Sequence, residues 1–277
     1  MLAVMDIGNT QVVLGVYEGS TLRCRLRMRT ERKATSDELG HLMASLLARH
    51  GVLIEQIEAV CVSSVVTQLD WVVEEACKTY LGQTPLWVKK QLQAAMPLLI
   101  DRPEELGADR LVNAYAAWKK YRSALIIVDM GTATTWDVVS AAGEYLGGAI
   151  APGVEISSEA LFQSASQLSR VPLENPVRAI GKNTKEHVQI GLVLGHAELI
   201  DGLVRRMQQE LATPSYVIAT GGLAPFMKQA SKTIQIVEPD LTLSGLCLLY
   251  QEYKSGTRDS FVSDRPQCVV GHQEAAC

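Results

Sequence analysis

No apolar run in this chain of 277 residues approaches the roughly 20 residues a helix needs to span a bilayer. The N-terminus enters at once on the apolar Leu2-Ala3-Val4-Met5 and then meets Asp6, so it also lacks a basic stretch ahead of a long apolar segment. A C-x-x-C pair is missing, and none of the six cysteines (Cys24, Cys61, Cys77, Cys247, Cys268, Cys277) has histidines at zinc-ligand spacing. They read as reduced thiols filling cores, and a cytoplasmic protein is expected. A dominant charge is lacking too: the formal net charge is −4, which implies no nucleic-acid or membrane partner and points to a small molecule. What the chain has is an apolar content of 47%, enough for real cores, and a length that suits two compact domains.

The residue pattern begins β, β, β. Leu2 to Met5, Val12 to Tyr17 and Leu22 to Met28 read as strands joined at Asp6–Thr10 and Glu18–Ser20. Helical spacing follows through Leu39, Leu42, Met43, Leu46 and Leu47, with Ser36 as the expected N-cap. A buried strand at 59–65, a helix at 68–80, a short strand at 85–88 and a helix from Glu104 to Tyr121 complete a βββαβαβ order and its exit. The chain then starts again. Val4-Met5-Asp6-Ile7-Gly8-Asn9-Thr10 is answered by Ile127-Val128-Asp129-Met130-Gly131-Thr132-Ala133, each time strand, Asp-x-Gly turn and returning strand. Helices near 154–166 and 184–212, strands at 215–219 and 234–237, and a last helix from about Leu243 to Tyr253 follow. Two similar α/β lobes, 1–118 and 119–254, with a cleft between them are expected, and 255–277 reads as a loosely ordered tail.

Both Asp-x-Gly turns suit phosphate. Glycine admits close backbone approach, and neighbouring N–H groups and the Thr10 hydroxyl can point at phosphate oxygens. Asp6, at a strand end, can hold magnesium directly or through water. One such turn is also what an ordinary hairpin looks like; two at matching points of two lobes would face each other across a cleft, on either side of a polyphosphate. A third small-residue turn, Thr220-Gly221-Gly222, follows an apolar strand, where a nucleoside could lie against backbone. The trio resembles the phosphate-1, phosphate-2 and adenosine loops of the actin, sugar kinase and Hsp70 superfamily. Phosphoryl transfer also needs a group to orient or accept the proton of the attacking hydroxyl, and Gly107-Ala108-Asp109-Arg110 offers an acid beside space for a substrate. A solvated Asp–Arg pair at a helix start would read the same way.

Further segments join these in order: Thr35-x-Asp37-Glu38, Pro103-Glu104-Glu105-Leu106 ahead of Gly107, Asp129-x-Gly131-Thr132-Ala133-Thr134-Thr135, Gly147-Gly148-Ala149-Ile150-Ala151-Pro152-Gly153, Ile180-Gly181-Lys182-Asn183-Thr184 and Leu241-Thr242-Leu243-x-Gly245-Leu246. Together they resemble the type III pantothenate kinases along nearly the whole chain up to about residue 254. The resemblance implies two actin-like (ASKHA, ribonuclease H-like) lobes. It also implies ATP-dependent phosphorylation of pantothenate to 4′-phosphopantothenate, the first step of coenzyme A biosynthesis. Asp109 would be the general base, with Gly107, Ala108 and Arg110 lining the pantothenate pocket and Thr184 touching it. ATP with Mg2+ would meet Asp6, Ile7, Gly8, Asn9, Thr10, Gln11, Val12 and Val13 from one lobe and Thr132 from the other. Asp129 would bind a monovalent cation, K+ or NH4+, and a second subunit would complete the pocket, making a homodimer.

The chain departs from the family's pattern at Ile100, where a tyrosine generally helps enclose pantothenate, at Gln11 after Asn9-Thr10, and at Gln189-Ile190-Gly191, where Gln-Ser-Gly is usual. Two competing readings are a catalytically weak ATP-binding accessory or regulatory member of the same family and another ASKHA enzyme, a sugar or acetate kinase or a polyphosphate hydrolase. Retention of Asp6, Asp109 and Asp129 argues against the first. The Gly-Ala-Asp-Arg segment argues against the second. His187 and His196 read as structural or solvated, and Trp71, Trp87, Trp118 and Trp136 as packing residues, Trp136 standing near the cleft. The five arginines from Arg23 to Arg32 read as a solvated strand edge.

Overall fold

The structure, a computed structural model, describes residues 1–88 and 96–255. Two antiparallel hairpin turns build the first sheet's start: β1 (Leu2–Ile7), β2 (Gln11–Glu18) and β3 (Thr21–Arg29). Then come α1 (Ser36–Arg49), β4 (Ala59–Ser64), α2 (Asp70–Leu81) and β5 (Leu86–Trp87), and the sheet order is β3-β2-β1-β4-β5. After α3 (Ala108–Tyr121) the plan recurs as β6 (Leu125–Met130), β7 (Ala133–Val139) and β8 (Tyr145–Pro152). Helices α4 (Val154–Ser164), α5 (Thr184–Gln189) and α6 (Gly195–Leu211) precede β9 (Tyr216–Thr220), α7 (Ala224–Met227), β10 (Ile236–Val237) and α8 (Leu241–Lys254). The second sheet, β10-β9-β6-β7-β8, is the first one repeated, with β6 in the place of β1 and β9 in that of β4.

Period-2 alternation splits each central strand between two cores. On β1, Ala3, Met5 and Ile7 face the core under α1 and α2, whereas Leu2 and Val4 face a central core shared with α3 and α8. On β6, Leu125 and Ile127 join that central core while Ile126, Val128 and Met130 pack with α6 residues such as Ile200 and Val204. The two sheets thus clasp the pair α3 and α8. These helices cross closely at Gly245, where a Cβ would lie 2.6 Å from Val112 Cγ1 and 3.0 Å from the Ala116 Cβ.

Several local expectations are corrected. Thr35, not Ser36, caps α1: its hydroxyl accepts from Glu38 N at 3.2 Å while Glu38 Oε2 accepts from Thr35 N at 2.8 Å, a reciprocal capping box that Ser36 cannot form. The helix expected over 104–121 divides into a short turn at Pro103–Glu105 and α3, because Gly107 is extended (φ −62, ψ 142). The helical stretch 184–211 contains a wide turn at Ile190–Leu194, and α7 had no counterpart in the sequence pattern. Trp71 is 62% exposed, so it is not a packing residue, while Trp87 and Trp136 are buried. The expectation for the tail past Ser255 falls outside the described residues.

Buried Asp201 on α6 ties down the loop that leads into β10. Its carboxylate accepts from Ser231 Oγ (2.6 Å), Thr233 Oγ1 (2.7 Å), Lys232 N (2.8 Å) and Thr233 N (3.1 Å). Burial alone would raise its pKa, but these donors outweigh it and hold the group below its ordinary value. A depressed folded pKa contributes stability above the unfolded value of about 3.9, and the contribution is lost as pH falls through the folded value. Asp201→Ala should therefore cost roughly 2–4 kcal/mol in urea unfolding at pH 7. The difference from wild type should shrink in acid; a difference independent of pH between 7 and 3 would contradict this role.

Candidate active site

A cleft of about 480 Å³ opens between the two sheets. Its walls begin with the two repeated turns. Gly8 N donates to the Gln11 carbonyl at 3.0 Å and Gly131 N to the Ala133 carbonyl at 3.0 Å, so each glycine N–H closes its turn at the end of β1 or β6, the second turn being one residue tighter. They meet: the Thr10 and Thr132 hydroxyl oxygens lie 2.7 Å apart. The third small-residue turn closes the far side. Gly221 sits at φ +90, where a Cβ would come within 2.5 Å of the Met130 carbonyl oxygen and 2.7 Å of Asp129 Oδ1, so this loop lies directly on the end of β6. Gly153 plays a similar part beside the second turn, since a Cβ there would lie 2.5 Å from both the Gly131 and Thr132 carbonyl oxygens.

Three of the carboxylates that line the cleft stand where its strands and α3 converge: Asp6 from β1, Asp129 from β6 and Asp109 from the first turn of α3; Glu155 and Asp240 border it as well. Burial first, and then the charges of Asp109 and Asp129, push Asp6 up to about 8. Burial, with Asp109 and Asp137, pushes Asp129 up to about 7, against the opposing pull of its Asn113 hydrogen bond and the Arg110 charge. Burial raises Asp109 as well, held back by the Arg110 N–H that its Oδ1 accepts at 2.8 Å and by the Arg110 charge. Gly107 makes this geometry feasible, because a Cβ there would fall 2.5 Å from Asp109 Oδ1. Acids gathered this closely suit a cation that also meets a polyanion. Among the described residues no three acidic, histidine or cysteine side chains converge closely enough to chelate one ion alone, so a magnesium ion here would take most of its ligands from phosphate and water.

Of the residues singled out from the sequence, Asp6, Gly8, Asn9, Thr10, Gln11, Val13, Thr132, Asp109 and Asp129 line this cleft. Ile7 and Val12 do not: both side chains are buried in the first-lobe core, leaving only their backbone near the loop. Gly107, Ala108 and Arg110 lie behind Asp109, with the Arg110 guanidinium turned onto β7, and no solvated Asp–Arg pair forms. Ile100 packs against the central core beside Gly147, the segment before it being held by Leu99 N donating to the Tyr145 carbonyl (2.8 Å). Thr184 is exposed at the start of α5, away from the cleft. His196 is buried, with Nε2 2.9 Å from Thr134 Oγ1, and burial lowers its pKa, so it sits as a neutral packing group.

Sequence reasoning missed Asn113, whose Nδ2 donates to Asp129 Oδ2 (3.0 Å) and whose Oδ1 accepts from Thr242 on α8 (2.7 Å). Its spacing of four residues from Asp109 on one helix was the available signal. It missed Asp137, and it read the arginine run as a plain solvated edge. Arg25 and Arg27 in fact border the cleft, and Arg25 Nη1 bonds Asp240 Oδ1 at 2.5 Å, joining β3 to the start of α8.

Solved structures share the architecture at low identity. A Baf family protein from Campylobacter jejuni matches with a TM-score of 0.57 and 18% identity over 91% of this chain and 99% of its own. A ROK family glucokinase from Streptomyces griseus, solved with glucose and AMPPNP, matches with a TM-score of 0.50 and 12% identity over 90% of this chain and 98% of its own. Duplicated lobes, facing Asp-x-Gly loops and an acidic cleft define the class: an actin-like (ASKHA) kinase. The family model for type III pantothenate kinase matches residues 2–206. Relatives carrying that name include one from Desulfatibacillum aliphaticivorans, 50% identical over 90% of this chain and 98% of its own, and one from Geobacter sulfurreducens, 49% identical over 91% and 98%. The chain belongs to the type III pantothenate kinase family.

Proposed function

We propose that this cleft transfers the γ-phosphoryl group of ATP to the primary hydroxyl of pantothenate, giving ADP and 4′-phosphopantothenate. The 2.7 Å approach of the Thr10 and Thr132 hydroxyls carries the reading, because it sets two phosphate loops on opposite sides of one site with Asp109 on its wall. Backbone N–H groups around Gly8 and Gly131 would bind the phosphates, and Gly221-Gly222 would back the nucleoside. Asp109, raised by burial and facing the cleft, is suited to accept the hydroxyl proton. Asp6 would hold magnesium through water, and Asp129 with Asn113 behind it would hold K+ or NH4+. Bound cations would neutralise charge on the transferring phosphoryl group.

A homodimer is the assembly we infer. Ile150 (66%), Val177 (103%) and Ile180 (74%) are exposed apolar side chains on the second lobe, and Thr184 follows them outside its own chain's cleft. A pocket completed across such a face would bring Thr184 to pantothenate.

The test is a coupled ADP-release assay with Mg2+ and ATP. Turnover should require pantothenate and fall sharply when K+ is replaced by Na+. In light scattering the protein should have twice the 30.2 kDa chain mass. ATP binding with no pantothenate-dependent ADP release would favour the accessory-protein reading instead.

A further inference from the structure

Asp137 is a carboxylate without exposed surface to which the chemistry above gives no role. It stands on β7 opposite Gly148 of β8. Its Oδ1 accepts from Arg110 Nε at 2.9 Å and from the Tyr145 hydroxyl at 2.6 Å, and lies 2.8 Å from Arg110 Nη2. Arg110 Nη2 also donates to the Trp136 carbonyl at 3.2 Å. Gly148 leaves the room for this: a Cβ there would lie 1.8 Å from the Trp136 carbonyl oxygen and 2.9 Å from Arg110 Nη2. Arg110 is therefore drawn onto the second sheet although Asp109 is its chain neighbour. The Asp109 side chain, not ion-paired with the Arg110 guanidinium, accepts from backbone N–H groups, that of Arg110 at 2.8 Å among them, and faces the cleft.

We propose that Asp137 is a positioning residue that captures the Arg110 guanidinium and so keeps Asp109 free of a direct ion pair and basic enough to take the acceptor's proton. The inference rests on Asp109 being the base. A guanidinium in contact with a carboxylate favours its charged form and weakens it as a base. The charged groups around Asp109 are Arg110 on its own helix, Asp6 on β1, Asp129 on β6 and Asp137 on β7. Of these three acids, Asp137 alone forms an ion pair with the Arg110 guanidinium. Neutralising it leaves the cation to Asp109 and Asp129.

Steady-state kinetics of Asp137→Asn, Arg110→Gln, the double variant and Asp109→Asn across pH test this. Asp137→Asn should lower kcat by about 10–100-fold, move the acid limb of the kcat profile to lower pH, and leave the ATP KM unchanged. A role in packing alone would lower thermal stability without moving that limb. The double variant, which has neither the cation nor an unpaired buried charge, should be faster than Asp137→Asn and as fast as Arg110→Gln, with a raised pantothenate KM. Should Asp137→Asn not fold, the comparison of the double variant with Arg110→Gln decides. A wild-type kcat and pH limb in Asp137→Asn, or a double variant slower than Arg110→Gln, would overturn the role of Asp137 and leave the base in place. Full activity of Asp109→Asn would instead overturn the base itself.

Discussion

Asp109→Asn should lower kcat by on the order of 10²–10⁴-fold while ATP still binds, the range expected when a positioned proton acceptor is lost. The side chain sits in the first turn of α3, where the helix N-terminus favours its ionised form and burial opposes it. Burial wins, which raises the group towards the range where it can accept a proton from an alcohol during transfer. Asparagine keeps the size and the hydrogen-bond acceptor for Arg110 N but offers no basic oxygen. The fold should survive, because no salt bridge is removed and Gly107 still accommodates the side chain. Single-turnover measurement with saturating ATP would separate chemistry from binding. A variant within a few-fold of wild type in that experiment would remove Asp109 from the mechanism, since loss of even a modest general base is worth more than that.

Gly221→Ala should raise the KM for ATP about 10-fold or more. Two costs combine at this position. A side chain at φ +90 is strained by about 1–3 kcal/mol, and the new methyl would stand 2.5 Å from the Met130 carbonyl oxygen and 2.7 Å from Asp129 Oδ1. Neither neighbour gives way easily, because Met130 and Asp129 belong to the paired strand β6. The loop must retreat or Asp129 must rotate, and the first outcome would open the side of the cleft proposed for the nucleoside while the second would disturb the cation site proposed at Asp129. The half-maximal K+ concentration should therefore rise together with the ATP KM. An ATP KM equal to that of the wild type would mean that this turn does not face the nucleotide.

Much of this site was legible because it is local. The repeated Asp6-x-Gly8 and Asp129-x-Gly131 turns each close a buried strand, and the continuous apolar runs Leu2–Met5 and Leu125–Val128 predict both strands, with the aspartates marking their ends. What failed to show is what depends on distant partners. Thr35 and Ser36 are both competent caps, and only the reciprocal bond with Glu38 selects Thr35. The alternation of β3 shows that Arg25 and Arg27 share a face, but not that this face borders the cleft or that Asp240 waits 215 residues away. Asp137 reads as the one charged residue in a strand of threonine and apolar residues. Its meaning comes from Arg110 and Tyr145, brought to it by α3 and β8.

By itself the sequence determined the duplicated α/β plan, the two Asp-x-Gly turns, the acid in Gly107-Ala108-Asp109-Arg110 and, through the order of its motifs, the family. Hydrophobic periodicity and turn chemistry act over a few residues and are written directly in the chain. The tertiary structure decided that Thr10 and Thr132 touch, that Asp6, Asp109 and Asp129 share one cleft where Asp109 and Asp129 raise Asp6, and that the Arg110 guanidinium turns from its neighbour to Asp137. Those outcomes depend on the central core in which the two sheets clasp α3 and α8. Packing across that core places charges from separate segments within a few ångströms, at distances that no local pattern encodes.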